Sequence, residues 1–245
     1  MPALSTCKRN LIPLIILFSL TSCTINPATG DKSFTGLMSL SDEIRIGREE
    51  HIKILKAFGG RYKDNAITNY VNSIGNRLAA TSELPNIKWT FTVLNSPVVN
   101  ALALPGGYVY VTRGLMALAS SESELAGVIA HEIGHVTARH AAQRYSSSIL
   151  AGGVSMAAGV FLGSSAGDIA KFASNAAMKS YSRKQEFEAD TLGVRYLARG
   201  NYNTNSMASF LKKLRAHSQL EAKRIKKNPA NVDRSDMFAT HPRTI

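Results

Sequence analysis

Thiols, aromatics and acids are all scarce in this chain of 245 residues. Its only cysteines are Cys7 and Cys23 and it has one tryptophan. Two cysteines, one of them in the first ten residues, exclude a disulfide framework and a cysteine-rich structural zinc site. Any metal must therefore be held by histidines and carboxylates. Asp and Glu number 17 against 29 Lys and Arg, a net charge of +12. No apolar run approaches the roughly 20 residues that span a bilayer as a helix. The longest, "LIPLIILFSL", has ten residues, and the uncharged stretch 146–166 is diluted by four glycines and six serines. That stretch is expected to form a pair of small-residue helices over the candidate site. Internal repeats and low-complexity tracts are also missing. A hydrophobic content of 44% with 19% charged residues places the chain among globular proteins, and its length suffices for one sizeable domain with a real core.

The first 22 residues read as an export signal: Lys8 and Arg9 without an acid, then the ten-residue apolar run, then small residues before Cys23. Leu20-Thr21-Ser22-Cys23 resembles a bacterial lipobox, in which the cysteine is acylated and becomes residue one. Thr24 in place of Asp after that cysteine resembles an outer-membrane address. The expected layout is a lipoprotein signal peptide over 1–22, a lipidated tether over 23–41 and one domain over 42–245. Removal of 1–22 leaves a net charge of +10. On an exported, lipidated chain that charge faces anionic headgroups more naturally than nucleic acid, for which there is no recognition motif. Much of it lies in residues 210–227, which read as a solvated helix face.

Helices are expected over "SDEIRIGREEHIKILKAFG", with Ser41 as cap, and over "DNAITNYVNSIGNRLAATS", with Ile67, Val71, Ile74 and Leu78 on one side. "IKWTFTVLN" and "PGGYVYVTRG" are expected strands. "SSESEL" opens a further helix with Ser121 and Glu124 as a capping box. Its buried side is Leu125, Val128, Ile129 and Val136. "YSRKQEFEADTLGVRYLARG" is expected to be helical to Gly200, and a basic helix starts near Ser206. The fold class expected is α+β, mainly helical, with a small sheet beside the histidine-bearing helix.

That helix carries the chemistry. His131 and His135 are four residues apart, so on a helix both imidazoles lie on one face and can grip one ion. Glu132 is turned about 100° from His131. It flanks the ion and can take a proton from a water that zinc acidifies. A third histidine in the same run would stand at 141, with a glycine at 138, and both positions hold alanine. His140 is one position early, so it is a surface residue or an outer partner of the site. Between His135 and Glu186 the only acid is Asp168. Glu186, Glu188 and Asp190 then come together on a helix, which leaves a His-His-carboxylate site with an open fourth position.

"HEIGH" followed some fifty residues later by "SRKQEFEAD" is similar to the zinc metallopeptidase family of HtpX and the CaaX prenyl endopeptidases. "NALALPGGYVYVTRGL" resembles the family's NAFAxPGG segment, with Leu102 for the usual aromatic. "FATHPRTI" resembles its late THP motif and "CTINPATG" the start of its bacterial lipoprotein branch. The chain stops at Ile245, before the arginine of the HPxxxxR region and before the helical-repeat domain of larger branch members; truncation at the C-terminus is one reading of this. The resemblance implies a zincin-like (gluzincin) domain with one Zn2+ per chain. It implies His131, His135 and Glu186 as ligands, Glu132 as general base and Asp190 as the group orienting a zinc histidine. Strand 108–112, with Tyr108, Val109 and Tyr110, would be an edge on which an extended peptide pairs, beside Asn100 and Ala101. His241 would be a gate at the zinc, an oxyanion donor, or simply a loop residue. Glu186 and Asp190 share a helix face, whereas Glu188 is about 200° from Glu186 and is expected in solvent or near Lys184 or Arg195.

The function this implies is a zinc endopeptidase on the periplasmic side of the bacterial envelope, lipid-anchored through Cys23. Its substrates would be misfolded or stalled envelope polypeptides. The alternative is a lipid-anchored chaperone or assembly factor that holds segments in the same cleft with little turnover.

Overall fold

The computed structural model describes residues 23–151, 181–224 and 241. The expected export signal, most of the 146–166 stretch and the neighbours of His241 lie outside the described residues. In chain order the elements are β1 (Cys23–Ile25), β2 (Lys32–Phe34), α1 (Leu40–Ala57), α2 (Asn65–Ala80), β3 (Thr90–Leu94), β4 (Ala101–Leu104), β5 (Tyr108–Thr112), α3 (Arg113–Leu118), α4 (Glu122–Thr137), α5 (His140–Ala151), α6 (Arg183–Arg199) and α7 (Asn205–Arg224). This is the mainly helical α+β arrangement expected.

The sheet has the order β3-β5-β4, with β5 parallel to β3 and antiparallel to β4. Side chains alternate between its faces. Phe91, Val93, Ala101, Ala103, Val109 and Val111 enter the main core with α2 and α4, while Leu94, Leu102, Leu104 and Tyr110 pack on Ile54 of α1. Strand 108–112 is therefore the centre of the sheet, hydrogen-bonded on both sides, and not the edge expected of it. The outer side of β3 is covered as well: Tyr62 N–H donates to Val93 O at 2.8 Å and Asn95 N–H to Gly60 O at 2.9 Å. The open edge among the described residues is β4. It turns into β5 through Pro105-Gly106-Gly107, where φ values of 78° and 92° require the two glycines.

α4 lies under this sheet and is enclosed from Glu124 to Thr137. A helix buried all round has no polar face to expose. Full burial of Ile129 and Ile133 contributes about 1.5–3 kcal/mol each. Ser121 caps it as expected, accepting from Glu124 N–H, but the Glu124 carboxylate turns to Ser120 N–H, Ser209 and Lys213 instead of closing the box. α1 starts two residues earlier than expected, on a capping box between Ser39 and Asp42. α7 is basic on its solvent side and buries Met207, Phe210 and Leu214 in the core.

α6 crosses α4 at short range. A Cβ added at Gly193 would sit 3.2 Å from the backbone nitrogen of His131. Gly193→Val should thus push α6 off the histidine-bearing helix and destabilise the fold by about 1–3 kcal/mol. Thermal unfolding checks this; an unchanged midpoint would mean that the contact is slack.

Over Cys23–Phe34 the expected tether is a folded hairpin, β1 pairing antiparallel with β2. The reason is Asn26. Its side chain is buried and donates to Glu188 at 2.7 Å and to Ala138 O at 3.4 Å, which fastens the hairpin to α6 and to the end of α4.

Candidate metal centre

α4 presents His131 and His135 one turn apart, and α6 brings Glu186 against them. His131 Nε2 lies 3.0 Å from His135 Nε2 and 3.4 Å from Glu186 Oε2, and His135 Nε2 is 3.5 Å from Glu186 Oε1. His241 joins from the far end of the chain, with Nδ1 3.2 Å from both His131 Nε2 and Glu186 Oε2. All four residues are buried. A tetrahedral ion with ligands at about 2.0–2.1 Å needs donor atoms about 3.3 Å apart. With Glu186 taken at Oε2, the separations involving His131 and His241 are 3.0–3.4 Å and meet that requirement, and one donor atom from each of the four residues lies within 4.8 Å of the others. Glu186 Oε1 is buried without a hydrogen-bond partner, a cost that a cation removes. The residues present fit a metal.

His241 stands with these donors as a fourth residue able to reach a cation there, which is compatible with its reading as a gate at the metal.

Glu132 is completely buried beside the four donors, and neither of its carboxylate oxygens has a hydrogen bond. His241 Nε2 lies 3.4 Å from its Oε1. Burial raises its proton affinity above that of an ordinary glutamate, against the opposing pull of His241 and His131. A carboxylate so placed is able to accept a proton. Burial also works against the charge on Glu186, but His241 and His131 overcome it and hold that carboxyl at about 2.

Asp190 Oδ1 is 2.9 Å from His131 Nδ1, as its position one turn after Glu186 requires. His135 has a different partner. Its Nδ1 lies 2.8 Å from His140 Nδ1, and His140 Nε2 lies 3.4 Å from Glu188 Oε2. His140 is fully buried against His135, the outer-partner reading of the two open to it, and Glu188, with Lys184 near it as expected, also faces His140 and Asn26. Tyr181, which no spacing signalled, stacks on the His135 ring at 3.9 Å, with Arg144 over its other face. Ala103, Pro105 and Tyr181 line a small cleft beside His135.

Residues 65–245 match peptidase family M48. The chain belongs to peptidase family M48. It is 28% identical over 260 residues to the beta-barrel assembly-enhancing protease of Escherichia coli, covering 96% of this chain and 50% of that protein. It is 32% identical to a putative beta-barrel assembly-enhancing protease of Vibrio cholerae, over 72% of this chain and 38% of the relative. It is 29% identical to the mitochondrial metalloendopeptidase OMA1 of Schizosaccharomyces pombe, over 73% and 54%. The chain spans about half the length of the curated relatives it matches.

Membership of M48 agrees with the expected resemblance, and the cluster His131, His135, Glu186 is where that reading puts its metal. Asn100 and Ala101 lie at the start of the open strand β4, and the Asn100 Oδ1 is buried without a partner. Tyr108, Val109 and Tyr110 are not brought to the site. They lie on the central strand, where Val109 enters the core and Tyr110 bonds to His51 of α1 at 2.7 Å.

Proposed function

We propose that this chain is a zinc endopeptidase, lipid-anchored through Cys23 on the periplasmic side of the bacterial envelope, that hydrolyses polypeptides, in particular misfolded or stalled envelope proteins. The observation that carries the proposal is a buried set of donors spaced for one tetrahedral ion, with an unpartnered carboxylate, Glu132, alongside. His131, His135 and Glu186 would hold zinc, one per chain. Bound zinc supplies Lewis acidity, which acidifies a water and polarises a carbonyl. Glu132 would accept a proton on a carboxylate oxygen and return it to the leaving amine. Burial equips it for both, because the protonated form is tolerated there.

The peptide would lie along β4. Thr112 N–H donates to Asn100 O at 3.0 Å, so alternation turns the backbone groups of Leu102 and Leu104 toward β5 and those of Ala101 and Ala103 outward. These two alanines can pair with an added strand beside His135. His241 stands at a fourth corner of this donor set, and hydrolysis would need that corner open to water and substrate.

The closed corner also favours the second reading, a holding or assembly factor with little turnover. Casein cleavage separates the two: chelator-sensitive hydrolysis supports the peptidase, and binding of unfolded chains without cleavage supports the holdase. The relatives named beta-barrel assembly-enhancing protease agree with an envelope setting. Among the described residues no helix is long and apolar enough to cross a membrane. Cys23→Ser is accordingly expected to release the protein from membranes or block its processing. A mutant that still sediments with membranes at the processed size would refute the anchor.

A further inference from the structure

We propose that the N-terminal hairpin is a working part of the metal centre: Asn26, through Glu188 and His140, fixes the tautomer and tilt of His135. This rests on the metal reading above. The two Nδ1 atoms of His135 and His140 face each other at 2.8 Å in a fully buried contact, so one of them carries a proton and the other does not. His135 Nε2 points into the donor cluster and must present a lone pair to a cation. The neutral ring then has its proton on Nδ1, and His140 Nδ1 accepts it. Neutral His140 in turn carries its own proton on Nε2. That atom lies 3.4 Å from Glu188 Oε2, long for a hydrogen bond, and has no closer acceptor among the described residues. The other oxygen of Glu188 accepts from Asn26 Nδ2 at 2.7 Å.

Asn26 is held by every polar atom it has. Its Oδ1 accepts from Ala28 N–H at 2.9 Å, its backbone N–H donates to Asp31 O at 2.7 Å, and its own C=O accepts from Gly30 N–H at 2.9 Å. A second clamp fastens the segment that follows the hairpin, and the start of α1, to the elbow between α4 and α5. Arg139, at φ 56°, donates from Nη2 to Met38 O at 2.6 Å, from Nη1 to Thr35 Oγ1 at 3.4 Å and from Nε to Glu43 Oε2 at 3.3 Å. The two histidines of the site thus have unlike supports. His131 is oriented by a carboxylate in direct contact. His135 is oriented by a carboxylate acting through a second histidine, and that carboxylate is set by a residue three positions after Cys23. Asn26, His140 and Glu188 are positioning residues; none touches the reacting atoms.

The hydrogen-bond pattern can be broken and remade. Asn26→Asp sets a carboxylate against Glu188. Glu188→Gln sets an amide N–H2 against that of Asn26. The double variant restores a match: the introduced amide donates to the introduced carboxylate, and its oxygen accepts from His140. Zn2+ affinity is measured by chelator competition on the full-length protein, with the absorption spectrum of the Co2+ form and the unfolding midpoint of the metal-free form beside it. Each single variant is expected to bind Zn2+ about 10–100-fold more weakly, with a shifted Co2+ spectrum beside whatever the metal-free midpoint loses with the hairpin contact, and the double variant to recover affinity and spectrum. Single variants that bind as wild type, or weak binding matched by a lower metal-free midpoint with an unaltered Co2+ spectrum, would overturn the relay. Wild type that binds no Zn2+ would instead sink the metal reading beneath it.

Discussion

Glu132→Gln is expected to keep its zinc and lose peptide cleavage by a factor on the order of 10²–10⁴, the usual contribution of a positioned general base. Glutamine preserves the volume of a completely buried side chain but cannot take a proton from water. The residue makes no contact with the donor set beyond the 3.4 Å approach of His241, so ligation should survive. Casein cleavage and zinc content measured on the same preparation check both halves. A variant that cleaves at the wild-type rate, once contaminating proteases are excluded, would remove Glu132 from the mechanism. A variant that loses zinc would make it a structural member of the site. Full binding of unfolded polypeptides by this variant is expected and would supply the trap for natural substrates.

The second large effect belongs to Glu186. Glu186→Gln removes the single carboxylate of the donor set, which sits 3.4 Å and 3.5 Å from the two histidines of α4, and is expected to abolish zinc retention and activity together. Asp190→Asn should be milder, about 10–100-fold in metal affinity, because it acts through His131. Helix geometry alone would make Glu188→Gln silent. Its contacts with His140 and Asn26 place it with Asp190 instead. Zinc content across the three purified variants ranks them. Zinc-loaded Glu186→Gln beside a metal-free Glu188→Gln would reverse the assignment.

What could be read from the sequence was whatever a single helix projects. His131 and His135 at i, i+4, Glu132 beside them, and Asp190 one turn after Glu186 all follow from 3.6 residues per turn. His140 escaped that projection because the helix does not continue through it. α4 ends at Thr137, the chain turns at Arg139 with φ 56°, and α5 begins at His140, which swings its ring back onto His135. Glu188 was legible only in part, its neighbour Lys184 but not its contacts with His140 and Asn26, for the opposite reason. Its helix is regular, but the hairpin it meets was read as a tether, since polar residues and three-residue strands leave little periodic signal. β4 was hidden because "ALAL" is buried on both faces and shows no alternation. The edge was given to the wrong strand because sheet order is a tertiary property that no local pattern encodes. His241 is 110 residues from His131, a separation that only the folded chain closes.

The most direct test of the account is elemental analysis of the full-length protein purified from membranes, with casein cleavage assayed before and after chelation. One zinc per chain, lost together with activity on chelation and regained with it on adding Zn2+, is the result predicted. Undiminished cleavage by protein that contains no metal would contradict it.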